Sequence, residues 1–231
     1  MDFLSGIDVG SVLIQFAVLL FSLSLHEAAH AWMADRCGDY TARYLGRVTL
    51  NPAAHIDPIG TLLFPLLQFF TNLPLIGWAK PVPINPAHLR RPGKDQVLVS
   101  LAGPGANVLA AVSAFTLLAV LKTASPQTGN IIAQMVVGMT MPRHGKLIVP
   151  LLGILFFLLV TNLALALFNL IPIPPLDGHW VLYELLPYNS ARGLARVGSY
   201  GTMLLYGLMI LGVLRYVFLP VHWVLMLLLS L

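Results

Sequence analysis

Three observations in this sequence predict an all-α polytopic membrane protein. First, only 10% of its 231 residues are charged and 58% are hydrophobic, whereas soluble domains carry about 25% charged residues. Second, the runs 11–34, 96–121 and 147–170 are apolar and long enough to cross a ~30 Å hydrocarbon core as helices rising 1.5 Å per residue. Third, the apolar stretch 60–78 is broken by Pro65 and Pro74, and residues 78–86 hold Pro81, Pro83 and Pro86. Proline removes a helical hydrogen bond and pushes the residue before it toward extended geometry. The expectation is therefore about five or six transmembrane helices plus a re-entrant or extended membrane-associated segment.

The elements follow in order. Residues 1–10 carry Asp2 and Asp8 and no basic residue, so they do not read as a cleavable signal peptide. Residues 11–34 form the first span. Residues 35–59 are polar, with Arg36, Arg43 and Arg47, and contain Asn51-Pro52-Ala53-Ala54-His55-Ile56-Asp57-Pro58, which cannot be one helix. The stretch 60–78 suits a re-entrant element, and 78–86 must be extended. After a polar break at 90–95, the span 96–121 holds Gly103-Pro104-Gly105-Ala106-Asn107. Its small residues would let helix backbones approach, and Asn107 would hydrogen-bond across a helix interface. Residues 122–146 read as a mixed loop, in which 131–141 is too short to span. The strong span 147–170 runs into Pro172, Pro174 and Pro175, and 180–186 reads as a short interfacial helix. The segment 197–231 is apolar around Arg215 and Pro220, giving two short spans or one span with a surface helix. Basic residues lie between the apolar runs, where they report orientation and headgroup contact. The lipid bilayer is thus a partner, and no basic stripe points to nucleic acid. The single cysteine, Cys37, excludes an internal disulfide and a Cys-rich zinc site.

Chemistry concentrates in His26-Glu27-Ala28-Ala29-His30. On a helix, residues i and i+4 share a face, so both imidazoles reach one ion. Glu27 is then placed to act on a water at that ion, the general-base role of the H-E-x-x-H signature. A chance match is the alternative. It loses weight because Glu27 is the sole charge in residues 12–34, and an ionisable side chain inside a span costs about 2.5–3.5 kcal/mol and marks function. A catalytic zinc needs a third protein ligand. The candidates are Asp177, His179, His55, Asp57, His144 and Glu184. Asp177 is preferred, because it follows helix-breaking prolines at the end of a span, and unwound backbone at membrane depth lines protein or a watery cavity. An ordinary helix N-cap is the other reading of Asp177.

His26 to His30 in one span, Gly103 to Asn107 in another, and Asn169-Leu170-Ile171-Pro172-Ile173-Pro174-Pro175-Leu176-Asp177-Gly178 together resemble the site-2 protease family of intramembrane zinc metalloproteases. The resemblance covers about residues 11–187. It implies one Zn2+ per chain held by His26, His30 and Asp177, with Glu27 as catalytic base and Asn169 as a substrate-holding residue. No insertion is long enough for the PDZ domain many members carry, so a minimal member is expected. The domain expected is a single one over 1–231, with its core at 11–187 and C-terminal helices in 197–231. Residues 51–58 resemble a segment of a bacterial subset, which leaves His55 uncertain between a contact to metal or substrate and a loop role.

Zinc ligation also constrains topology. The histidines and Asp177 must lie at one depth, which requires residues 60–78 to dip in and return rather than cross. Charge agrees: segments 35–59, 79–95 and 171–197 hold nine of the thirteen Lys and Arg, which places the zinc side in the cytoplasm. The implied reaction is hydrolysis of peptide bonds within or near transmembrane helices of membrane-protein substrates. A helix hides its carbonyls, so such substrates must unwind locally. The extended residues Lys80, Pro81, Val82 and Pro83 offer an edge on which an unwound segment adds as a strand, with a plain surface connection as the alternative. Gly103 to Asn107 reads first as a packing seam, with Asn107 also a candidate substrate contact. Two rival functions are a membrane metal or ion transporter and a catalytically inactive binding protein. The first should show two related halves with discontinuous helices, and none are visible; the second should lack a site residue, and all four are present. Oligomeric state is not legible in the sequence.

Overall fold

The computed structural model describes residues 8–65, 67, 77–142, 148–187, 190–191, 193–194 and 198–231. Among them every regular element is helical. Helix α1, Val9–Cys37, begins at Asp8, whose carboxylate accepts the Gly10 N–H, and ends at Gly38. A short helix α2, Thr41–Tyr44, follows. Helix α3, Pro92–Ala124, starts on a proline at its first position, where no amide donor is needed. Helix α4, Pro126–Gly138, turns back beside it, and α5 is Ile148–Asn169. Helices α6, Gly178–Leu185, α7, Gly201–Ile210, and α8, Leu219–Ser230, complete the order.

Four helical stretches among the described residues are long and apolar enough to cross a membrane: Val9–Cys37, Pro92–Ala124, Ile148–Asn169 and Val213–Ser230. Gly201–Ile210 is a shorter apolar helix, and a break at Gly212 separates it from the last stretch. The C-terminal region is thus one candidate span with a shorter partner. Residues 126–138 differ from the expected loop. Thr128, Ile132, Met135 and Val136 recur at helical spacing and are buried against the bundle. The helix is still only about 20 Å long at 1.5 Å per residue, too short to span.

Helices α1, α3 and α5 pack on one another and form the core of the molecule. In lipid the apolar tails compete with apolar side chains, so packing and interhelical hydrogen bonds hold such a bundle together. One half is apolar, with Val18, Ala114, Leu118, Leu152, Phe156 and Leu159 buried together and α4 and α8 laid over them. The other half is polar and carries the functional side chains. Small residues on α3, Ala111 and Ala114, make the close approach possible.

The interior of the expected re-entrant segment, residues 66 and 68–76 with Pro74, lies outside the described residues, as does His144. Its two ends are described, and they meet. The Trp78 N–H donates to the Gly60 carbonyl at 3.3 Å, and the Thr61 hydroxyl donates to the Trp78 carbonyl at 2.8 Å. Residues 60 and 78 therefore stand at one level. From there residues 77–85 form no helix or strand and lie against the C-terminal half of α1, where Val82 meets Glu27 and Ile84 packs beside Ala31 and Ala34. They are fastened at three points. Arg47 donates to the carbonyls of Lys80 (2.5 Å) and Pro81 (3.3 Å). The Lys80 N–H donates to the His55 carbonyl at 2.9 Å, and the Asn85 N–H donates to buried Asp39 at 2.7 Å.

Candidate active site

His26 and His30 lie one turn apart on α1, both nearly buried at 5% and 6% exposure. Asp177 comes from the turn between α5 and α6. Its Oδ2 is 3.1 Å from His26 Nε2 and 3.3 Å from His30 Nε2, and the two Nε2 atoms are 3.0 Å apart. The three atoms form a nearly equilateral triangle. The turn reaches this point because α5 ends at Asn169 and the chain folds back over its own end. Gly178 makes that possible: a Cβ there would collide with the carbonyl oxygen of Leu170.

The proton positions on the two rings follow from their other partners. His30 Nδ1 is 2.7 Å from the Val99 carbonyl oxygen, which can only accept, so Nδ1 carries the proton. His26 Nδ1 is 2.6 Å from Asn107 Oδ1, and the Asn107 amide is oriented by its Nδ2, which donates to the Ser22 carbonyl at 3.3 Å. With Nδ1 so bonded, each ring aims Nε2 at the carboxylate, and in its neutral form presents a lone pair there. Three lone pairs facing one another repel unless a cation sits among them. Asp177 Oδ2 is buried and has no hydrogen-bond donor.

The donor set fits zinc. Two histidine nitrogens and one carboxylate oxygen are an established catalytic ligand set, and tetrahedral ligands about 2.0–2.1 Å from the ion stand about 3.3 Å apart. The observed separations of 3.0–3.3 Å match that spacing. Among the described residues this is the one group of three or more such side chains able to hold an ion. Gly103 on α3 leaves the room: a Cβ there would collide with His30 Nε2 and come within 2.7 Å of His26 Nε2.

Comparison with known proteins supplies the family. The chain matches the model of peptidase family M50 over residues 14–212. It belongs to that family. Curated relatives named "Putative zinc metalloprotease" include YwhC of Bacillus subtilis (strain 168), 34% identical over 204 residues, covering 87% of this chain and 82% of the relative. Rip2 of Mycolicibacterium smegmatis carries the same description and is 33% identical over 222 residues, covering 93% of this chain and 74% of the relative. Rip2 of Mycobacterium tuberculosis (strain ATCC 25618 / H37Rv) is 31% identical over 205 residues, covering 88% and 70%. No solved structure gives a significant match. The chain is a site-2-protease-type metalloprotease, and its apolar helices make it an integral membrane protein.

In this M50 peptidase the triangle opens into a cavity of about 770 Å³, lined by Glu27, Val82, Gln96, Asn169, Trp180 and Tyr206 among others. Glu27 reaches it half-buried, and its Oε2 accepts the Val82 N–H at 3.0 Å. Asn169 is half-buried on the same wall and donates through Nδ2 to the Leu165 carbonyl at 3.0 Å. Pro81 and Val82 line the cavity, whereas the Lys80 side chain is exposed.

Other sequence candidates lie elsewhere. The Asn107 side chain is fully buried and bonded to His26, Ser22 and Asn162. His55 is buried in the 51–58 loop, 2.8 Å from the Thr49 carbonyl, and is not in the ligand group. Asp57 accepts the N–H groups of Ile59 and Gly60, and His179 approaches the Leu176 carbonyl at 2.5 Å. Glu184 lies beside Gly93 at the start of α3. Sequence reasoning did not single out Asn162 or Ser22. The available signal was a polar amide inside the span of highest mean hydropathy.

Proposed function

We propose that this protein is a zinc-dependent intramembrane endopeptidase that hydrolyses peptide bonds within or near transmembrane helices of membrane-protein substrates. One Zn2+ per chain is held by His26, His30 and Asp177, and the site faces the cytoplasmic side. The observation that carries the reading is the convergence of three lone-pair atoms, 3.0–3.3 Å apart, at the edge of a cavity that also contains Glu27.

When bound, the ion supplies Lewis acidity, lowering the pKa of a water toward about 7 and polarising a peptide carbonyl. Glu27 is the general base. One of its oxygens is held by the Val82 N–H, which leaves the other for the attacking water. It takes the water's proton and passes it to the leaving nitrogen as the peptide bond breaks. Asn169, whose amide nitrogen is committed to its own helix, offers its oxygen to an unwound substrate backbone. The extended residues 80–83 present an edge beside the cavity, where main-chain pairing would hold the unwound segment. The basic segments around the site, residues 35–59 and 79–95, support a cytoplasmic location under the positive-inside rule.

Glu27→Gln tests the assignment. It should leave zinc bound, because Glu27 is not a ligand, and lower cleavage of a reconstituted transmembrane substrate by a factor of ~10² or more. Cleavage at the wild-type rate would overturn the mechanism.

A further inference from the structure

We propose that Asn162 of α5 is a positioning residue for the metal centre: acting through Asn107, it fixes which nitrogen of His26 carries the proton and so keeps Nε2 free to ligate. The proposal rests on the zinc-site reading above.

Asn162, Asn107 and Ser22 are all fully buried, on α5, α3 and α1 respectively. The Asn162 amide has one available orientation. Its Nδ2 is 2.9 Å from the Leu158 carbonyl oxygen, which accepts only, and also donates to Ser22 Oγ at 2.8 Å. Its Oδ1 therefore faces α3 and accepts from Asn107 Nδ2 at 2.7 Å. That bond, with the longer 3.3 Å contact from Asn107 Nδ2 to the Ser22 carbonyl, turns Asn107 Oδ1 toward His26 Nδ1 at 2.6 Å. The series of hydrogen bonds begins with the Leu158 carbonyl as acceptor and ends at the imidazole. Each step has a single solution.

Without Asn162 the Asn107 amide keeps only the 3.3 Å contact. It can then turn over and present Nδ2 to His26, making Nδ1 an acceptor and moving the ring proton to Nε2, the atom aimed at Asp177. An N–H there cannot ligate. His30 is insulated from this failure, because its Nδ1 partner is the backbone carbonyl of Val99, which cannot flip. The asymmetry makes one ligand conditional on three spans meeting. Outer partners of this kind set ligand tautomer and typically change metal affinity 10–100-fold.

The test uses the full-length protein in detergent. Zinc affinity is measured by chelator competition, and the imidazole 15N shifts are read in metal-free protein. Asn162→Leu should weaken zinc binding by about 10–100-fold and move His26, but not His30, toward the Nε2–H form. Leu159→Ala, a buried change in the apolar cluster on the same helix, should lower thermal stability and leave affinity and tautomers unchanged. Should Asn162→Leu not fold, Asn162→Ala is read the same way. Wild-type affinity with an unshifted His26 overturns the proposal, as does an equal loss of affinity in Leu159→Ala. The underlying reading fails separately: in that case wild type binds no zinc, or Asp177→Ala binds it as tightly as wild type.

Discussion

Gly103 shows how much of the site depends on a missing atom. The α3 backbone passes so close to the His26 and His30 rings that a methyl group would occupy the space beside both Nε2 atoms. Forcing extra volume into such a position costs about 1–3 kcal/mol, or roughly 10–100-fold in metal affinity at ~1.4 kcal/mol per decade. Gly103→Ala should show that loss by chelator competition. Gly105→Ala, two residues away with open space around its Cβ position, should not. Equal behaviour of the two variants would mean the close approach is not functional. At this scale the sequence was legible where residue type and spacing carry the chemistry. His26, Glu27, His30 and Asp177 could be proposed from motif and prolines alone. It was not legible where the role comes from the partner: Asn107 looks like any interfacial amide until its oxygen is found against His26. Asn162 has no motif around it at all.

Among the elements, the extended segment 77–85 is the one whose position must be explained, because it has no ladder or helix to hold it. Its prolines dictated that it be extended, but its anchors come from residues 39–55, which no periodicity connects to it. Asp39 is the firmest anchor, fully buried and accepting from Asn85 N–H, Thr41 N–H and the Thr41 hydroxyl. Burial pushes its carboxyl up, but these bonds and the nearby His88 ring outweigh burial and hold it below its ordinary 3.8. A carboxyl depressed in the folded state adds stability above its unfolded pKa, and that stability is lost as pH falls through the folded value. Asp39→Ala should therefore cost about 1–3 kcal/mol at neutral pH, the cost of buried donors left unpaired. The gap from wild type should shrink as pH falls below about 4. Thermal melts at pH 7, 5 and 3 check this, and a gap that stays constant or widens in acid would contradict it. The helix at Pro126–Gly138 makes the complementary point. Its apolar residues at helical spacing were present in the sequence, but its length matched no span, so it read as loop.

For the whole molecule the governing quantity is parity. His26 and His30 descend with α1, and Asp177 must return to them. The chain leaves α1, brings residues 60 and 78 together, and runs on through the candidate spans α3 and α5. With α3 and α5 both candidate spans, two crossings would separate the histidines from Asp177 and leave all three on one side. In a Cys37→Ser background, a single cysteine at exposed Ala87 should share that side, and one at exposed Gln127 should lie opposite. With the site in the cytoplasm, a membrane-impermeant thiol reagent on intact cells should label position 127 and not 87. Labelling of 87 alone would invert the orientation, and labelling of both would contradict the parity of the bundle.

The central claim is that His26, His30 and Asp177 form one metal site in which Glu27 is not a ligand. The most direct measurement is zinc content per chain of purified wild type, Glu27→Gln and Asp177→Ala, with His55→Ala as a control on a buried histidine outside the cluster. One zinc per chain is expected in wild type, Glu27→Gln and His55→Ala, and well below one in Asp177→Ala. Full zinc in Asp177→Ala, or its loss in Glu27→Gln or His55→Ala with the fold intact, would contradict it.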